Sequence, residues 1–218
     1  MDDIVVRVMR AIASYSRLTL LRLMAGQGEM TPTDLAKETG LSKPAVSLHL
    51  RHLASAGLVR RRPSGTRCFC VAKPIYGPKT LSGRMSSYLV RLFRSPDRTL
   101  GKRELGRMRA GEEPGVGSEV ERAVFDAATA FTNLRRLRIL DQLEEHGDTS
   151  FDALRRKLKM SAAALSRHVD KLVRRGYVEV EDETSNWMCR LAHGRKTPIH
   201  AAFLRIVRQV RKESPTVS

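Results

Sequence analysis

The chain has 218 residues, 40 Lys plus Arg against 23 Asp plus Glu, a formal net charge of +17 and a pI near 10.7. Its length admits two domains of about 100 residues each, and a cationic excess of this size suits a polyanionic partner. The excess is spread along the chain, with 12 basic against 5 acidic side chains in residues 1–75, 9 against 5 in 76–119 and 19 against 13 in 120–218, so no single basic tail explains it. The amino terminus lacks a positive segment followed by an apolar run, and no run approaches the ~18 apolar residues of a membrane helix. A cytoplasmic, nucleoid-associated address with no membrane partner is therefore expected. Cys68, Cys70 and Cys189 cannot all pair within the chain and are read as reduced thiols.

In chain order, Ile4, Val5, Val8, Met9 and Ile12 recur at helical spacing, and Leu18, Leu20, Leu21, Leu23 and Met24 form a second apolar set ending at Gly26-Gln27-Gly28. Thr31 stands as an N-cap before Pro32, with Asp34 in the first turn, which predicts a short helix over 32–38 stopped by Thr39-Gly40. A new helix opens at Ser42, with Pro44 tolerated in its first turn. Val46, Leu50, Leu53 and Ala54 line its apolar side, while Lys43, Ser47, Leu48, Arg51 and His52 lie opposite. After Gly57 the period changes to alternation, predicting a β-hairpin of strands 58–62 and 66–71 around a Pro63-Ser64-Gly65 turn.

Leu81, Met85, Leu89, Leu92 and Phe93 then form an amphipathic stripe ending before Ser95-Pro96. Residues 95–118, rich in glycine and charge, read as a loose linker. Beyond it the sequence repeats: at a shift of 119, residues 11–72 match 130–191 with fourteen identities, among them Arg17/Arg136, Ser42/Ser161, Ser47/Ser166, His49/His168, Gly57/Gly176 and Cys70/Cys189. Because the matches fall on apolar helix positions, caps and turns, they mark two copies of one domain. The second hairpin is placed at 177–181 and 186–191 with a turn at Asp182-Glu183-Thr184. A final stripe of Ile199, Phe203, Ile206, Val207 and Val210 follows.

At Arg17-Leu18-x-Leu20-Leu21, Thr31-x-x-x-Leu35-Ala36, Leu41-Ser42-Lys43-Pro44-Ala45-Val46-Ser47-Leu48-His49-Leu50 and Ala56-Gly57-Leu58-Val59 the chain resembles the ArsR-type winged-helix regulators, relatives of the MarR type. The second copy matches less closely, through Arg136-Leu137-Arg138-Ile139-Leu140, Ser166-Arg167-His168-Val169 and Gly176-Tyr177-Val178; together the copies cover about 120 residues. The fold class expected is mainly α with small β-hairpin wings (α+β), as tandem winged helix-turn-helix domains. The divisions are 1–79 for the first domain, 80–118 for an amphipathic helix and flexible linker, and 119–218 for the second domain with its terminal helix.

The resemblance implies a DNA-binding transcription regulator whose helix from Ser42 enters the major groove of double-stranded DNA while the wing follows the backbone or minor groove. Lys43 and Ser47, four residues apart near a helix amino terminus, suit base edges. Ser42, Leu48, Arg51 and His52 complete that face, and Arg60, Arg61, Arg62 and Arg67 can neutralise phosphates. In the second copy Ser161, Ser166, Arg167, Lys171 and Arg174, with Arg175 beside them, offer a basic helix face, yet Glu179, Glu181, Asp182 and Glu183 make its wing acidic. That domain either adds DNA contacts through its helix alone or serves protein contact and dimerisation.

The apolar stripes allow an internal pseudo-twofold pair or a homodimer presenting four modules. An alternative function is a protein-interaction or anti-repressor module without sequence reading, suggested by Leu48, with the transcription machinery or another regulator as partner. A lesser one is a metal or thiol sensor, although the paired cysteines of such sensors belong on the helix at 31–36, where none stands. RNA binding is disfavoured by scarce aromatics. No catalytic residues, metal site or cofactor are expected, because no phosphate-cradling, nucleophile-elbow or ligand-spacing motif occurs. His49 and His168 are read as partly buried helix positions with one polar contact.

Overall fold

The structure, a computed structural model, describes residues 1–103, 106, 118–183, 186–192 and 197–213. Helix α1 (Asp2–Ile12) carries Asp2 and Asp3 in its first turn, where carboxylates suit the helix dipole, and buries Val5, Val6, Val8, Met9, Ala11 and Ile12. The corner into α2 (Tyr15–Gln27) is pinned by Arg17, whose Nε donates to the Ala11 carbonyl at 2.5 Å and whose Nη2 donates to that of Arg10 at 2.7 Å. These bonds occupy carbonyls that the end of α1 leaves unpaired.

Helix α3 (Pro32–Thr39) starts from a reciprocal cap in which the Thr31 hydroxyl accepts from the Asp34 amide and the Asp34 carboxylate accepts from the Thr31 amide. It ends at Gly40, left-handed at φ 68°. Helix α4 (Lys43–Ser55) is capped by Ser42 Oγ, which accepts from Ala45 N at 3.4 Å, and its Val46, Leu50 and Leu53 are buried. Gly57, at φ 74°, then turns the chain into the hairpin β1 (Arg60–Ser64) and β2 (Arg67–Val71).

That hairpin is tighter than expected. Pro63 and Ser64 lie within the ladder opposite Cys68 and Arg67, leaving Gly65-Thr66 as the turn. Because β1 has a partner on one side only, the missing amide of Pro63 is tolerated there. Helix α5 (Leu81–Arg94) follows the Thr80 cap, and a short α6 (Pro96–Leu100) occupies the start of the expected linker, Pro96 being favourable in a first turn. Residues 104–105 and 107–117 of that linker lie outside the described residues.

The second copy contains α7 (Glu119–Ala130), α8 (Leu134–His146), β3 (Thr149–Ser150), α9 (Phe151–Lys157), α10 (Ala162–Arg174), β4 (Val178–Glu183), β5 (Asn186–Leu191) and α11 (Pro198–Glu213). A shift of 119 maps α2 onto α8 and α4 onto α10 end for end. Arg136 repeats the corner of Arg17, donating to the carbonyls of Ala130 at 3.0 Å and Thr129 at 2.8 Å. The pairing of Thr149 with Cys189 likewise repeats the bridge between Met30 and Cys70. Asp182 and Glu183 belong to β4 rather than to a turn, and Thr184 lies outside the described residues.

The copies pack as a pseudo-dimer within one chain: α1 meets both α7 and α8, α2 meets α7, and α5 meets α11. Exchanging each helix for its counterpart leaves this set of contacts unchanged, which is the signature of a self-complementary twofold interface. Tyr15 stacks on Phe125 with centroids 4.5 Å apart, and Tyr88 meets Phe203 edge-on at 6.1 Å. Arg22 bonds the Glu121 carboxylate at 2.8 Å, where that side chain is only 1% exposed. The mirrored position pairs two acids, Asp2 and Asp141, and Arg211 joins them, 3.2 Å from Asp2 and 2.8 Å from Asp141. The apolar stripes of α5 and α11 are thus largely buried within the chain, where the two helices also meet across the copies.

Candidate nucleic-acid interface

Helix α3 packs on α4, and α2 supports both, so the buried Leu35, Val46 and Leu50 hold α4 with its other face outward. Ser42, Lys43, Ser47, Leu48, Arg51 and His52 are all exposed there. Lys43 and Ser47 sit one turn apart at the amino-terminal end, while the Ser42 hydroxyl is engaged as a cap. This arrangement presents a cation, a hydroxyl and the aliphatic side chain of Leu48 to whatever meets the face, a combination that complements base edges.

The four wing arginines are exposed but not alike. Arg60, Arg61 and Arg67 have no ion-pair partner among the described residues. Arg62 bonds Glu29 at 2.7 Å and lies 5.3 Å over the Phe69 ring, and the carboxylate raises its pKa. One of the four cations is therefore tied back to the domain body. Glu29 lies 33 residues away in sequence, with no local pattern to signal the pairing.

In the second copy Ser161, Arg167 and Arg174 are exposed, whereas Ser166, Lys171 and Arg175 are half-buried. Ser161 Oγ caps α10 by accepting from Ala164 N. Arg175 is drawn inward, bonded to Asp126 and 5.5 Å over Phe125. Arg167 and Lys171 line an open cleft of about 590 Å³ with Arg10, Arg135, Arg136 and His168. Arg10 comes from the first copy and is held by donation from Nε to the Thr132 carbonyl at 3.0 Å. Sequence reasoning missed Arg10 and Arg135 because only the packing of one copy on the other brings them to α10.

The acidic wing is partly neutralised: Arg190 donates to Glu179 at 3.1 Å and to Glu181 at 3.0 Å. Trp187, 52% exposed, meets Phe151 edge-on at 6.2 Å. Cys70 and Cys189 are fully buried, and burial pushes each thiol up to about 11. Such groups stay protonated near neutrality and make poor metal ligands or redox centres. His49 and His168 are half-buried, and burial lowers both pKa values, with help from Arg17 and Arg136 respectively. His49 Nδ1 is buried without a hydrogen-bond partner among the described residues. No group of three metal-ligating side chains occurs among the described residues, and no described helix is long and apolar enough to cross a membrane.

Two equivalent units, each a helix-turn-helix followed by a hairpin wing, define a tandem winged helix-turn-helix protein. Residues 14–61 match the family model described as bacterial regulatory protein, arsR family, and residues 132–185 match the MarR family. The chain is 41% identical over 66 residues to the HTH-type transcriptional regulator KmtR of Mycobacterium tuberculosis, covering 30% of this chain and 50% of the relative. It is 37% identical over 65 residues to a probable mercury resistance operon repressor of Streptomyces lividans, covering 30% and 51%. A third relative, the HTH-type transcriptional regulator Rv2034 of Mycobacterium tuberculosis, is 39% identical over 61 residues, covering 28% and 56%. The chain spans about half the length of these curated relatives. No solved structure matches it.

Proposed function

We propose that the chain is a transcription regulator that binds duplex DNA mainly through the outer face of α4 and the arginine wing of the first domain, with α10 of the second domain as an auxiliary contact. One observation carries this reading: an exposed Lys43/Ser47 face at the start of α4 stands in the same domain as three exposed wing arginines without ion-pair partners among the described residues. The first arrangement can read bases and the second can neutralise phosphates, the two separate tasks of a sequence-specific binder. Relatives named as transcriptional regulators and as an operon repressor agree with it.

Selection from genomic fragments, followed by affinity measurement across a salt series, tests the proposal. A specific site should survive competitor DNA while log affinity falls linearly with log salt. A second reading, a protein-docking module, draws on Leu48 at 44% exposure on α4 and Trp187 on the second wing. Capture of a defined regulator or polymerase subunit with no preferred duplex would favour it. Burial of Cys70 and Cys189 gives a cysteine-based sensor no comparable support.

A further inference from the structure

We propose that one chain occupies one DNA site, and that the two halves of this site differ in sequence and are read in a fixed order, one by α4 and the other by α10. The inference rests on the DNA-binding reading above and adds the form of the target.

The first step is valence. A regulator built as a symmetric pair needs a partner to supply its second recognition helix, and palindromic sites mirror that symmetry. Here the partner is covalently present. The exchange-symmetric packing of α1, α2 and α5 on α8, α7 and α11 relates α4 to α10 by the same operation. The faces that would pair two chains are filled internally by contacts such as Tyr88 on Phe203.

The second step is that the symmetry of the frame does not extend to the reading surfaces. At matched positions Lys43 corresponds to Ala162, Leu48 to Arg167, Arg51 to Asp170 and His52 to Lys171, and only the capping pair Ser42/Ser161 and the pair Ser47/Ser166 agree. Lysine and arginine suit the guanine acceptors, a carboxylate accepts from the cytosine amino group, and an aliphatic side chain suits the thymine methyl. Two helices so different in donors and acceptors cannot both be satisfied by one sequence.

The third step concerns the backbone. The first half is gripped by a wing with Arg60, Arg61 and Arg67, while the equivalent hairpin places Glu179 and Val180 at the first two of those positions. Anchoring of the second half passes instead to Arg10 and Arg135, which line one cleft with the reading residues Arg167 and Lys171. Since Arg10 belongs to the first copy, the α10 half-site is incomplete without it. Each half thus has its own base contacts and its own phosphate grip.

The test selects a site from a random duplex library with the full chain and compares it with two artificial palindromes, one duplicating each half. Native mass spectrometry should give one chain per duplex. Both palindromes should bind at least about tenfold more weakly, since each mismatched base pair costs roughly 5- to 100-fold. A photo-crosslinker replacing Ser64 at the tip of the first wing should mark one end of the selected site only. In a chain carrying Ala162→Lys, Arg167→Leu, Asp170→Arg and Lys171→His, all exposed or half-buried positions, preference should move toward the duplicated α4 half. Selection of a palindrome, two chains per minimal site, or equal crosslinking at both ends would overturn this inference while leaving DNA binding intact. Failure to enrich any duplex would overturn both.

Discussion

The three wing arginines without ion-pair partners among the described residues and the one that is paired permit a quantitative contrast. A neutralised phosphate contributes about 0.9 to the slope of log affinity against log salt, so a fourfold rise in salt costs about 3.5-fold in affinity per contact. Replacing Arg60, Arg61 and Arg67 by Ala together should flatten the slope by about 2.7 and remove about 40-fold of the affinity change over that fourfold range. Arg62→Ala should flatten the slope by less than one third of this, because Glu29 engages that guanidinium and holds it back from a phosphate. Glu29→Gln should act in the opposite sense, freeing Arg62 and steepening the slope by up to about one contact. The assay is fluorescence anisotropy on one specific and one random duplex at four salt concentrations. Equal effects of Arg61→Ala and Arg62→Ala, or an unchanged slope in the triple variant, would refute the assignment of the wing to phosphates.

Lys43→Ala should lower discrimination among sequences by roughly 5- to 100-fold at one base pair while leaving random-duplex binding nearly unchanged, as competition titrations would reveal. Gly57→Ala should destabilise the first domain by about 1–3 kcal/mol in thermal melting, because an added Cβ would sit 2.6 Å from the Tyr76 ring at a backbone φ of 74°. Arg211→Ala should cost about 1–3 kcal/mol, since it leaves Asp2 and Asp141 facing each other across the copies. Urea denaturation read separately in each copy would register the loosened interface. Because His49 and His168 have folded pKa values below the ordinary 6.5, the unfolded chain takes up these protons more readily. Stability should therefore decline as pH falls below about 6.5, and His49→Gln/His168→Gln should lessen that decline in melts at successive pH values.

Much of this architecture is legible in the residues themselves. The cap signals at Thr31 and Ser42 and the apolar periods act over a few residues each, the 119-residue repeat carries them to the second copy, and the corresponding helices form where those signals stand. The wing turn is misplaced by sequence reasoning because Pro63 usually marks a turn, yet an edge strand tolerates it. Strand β3 has two residues, too few for a period to show. The site is half legible. Outward-facing positions on α4 follow from helical geometry, but the Arg62–Glu29 pair and the Arg10–Arg135 cleft arise from tertiary packing between distant segments. Local pattern carries no trace of either.

The most direct test of the central claim places a photo-crosslinking residue at position 47, on the outer face of α4, and irradiates the full chain on a selected duplex. Reading α4 as the groove-bound helix predicts a single strong adduct at a base within the protected site, lost when a competing specific duplex is added. An adduct to polypeptide, or none at position 47 while a probe at Trp187 labels the DNA, would contradict it.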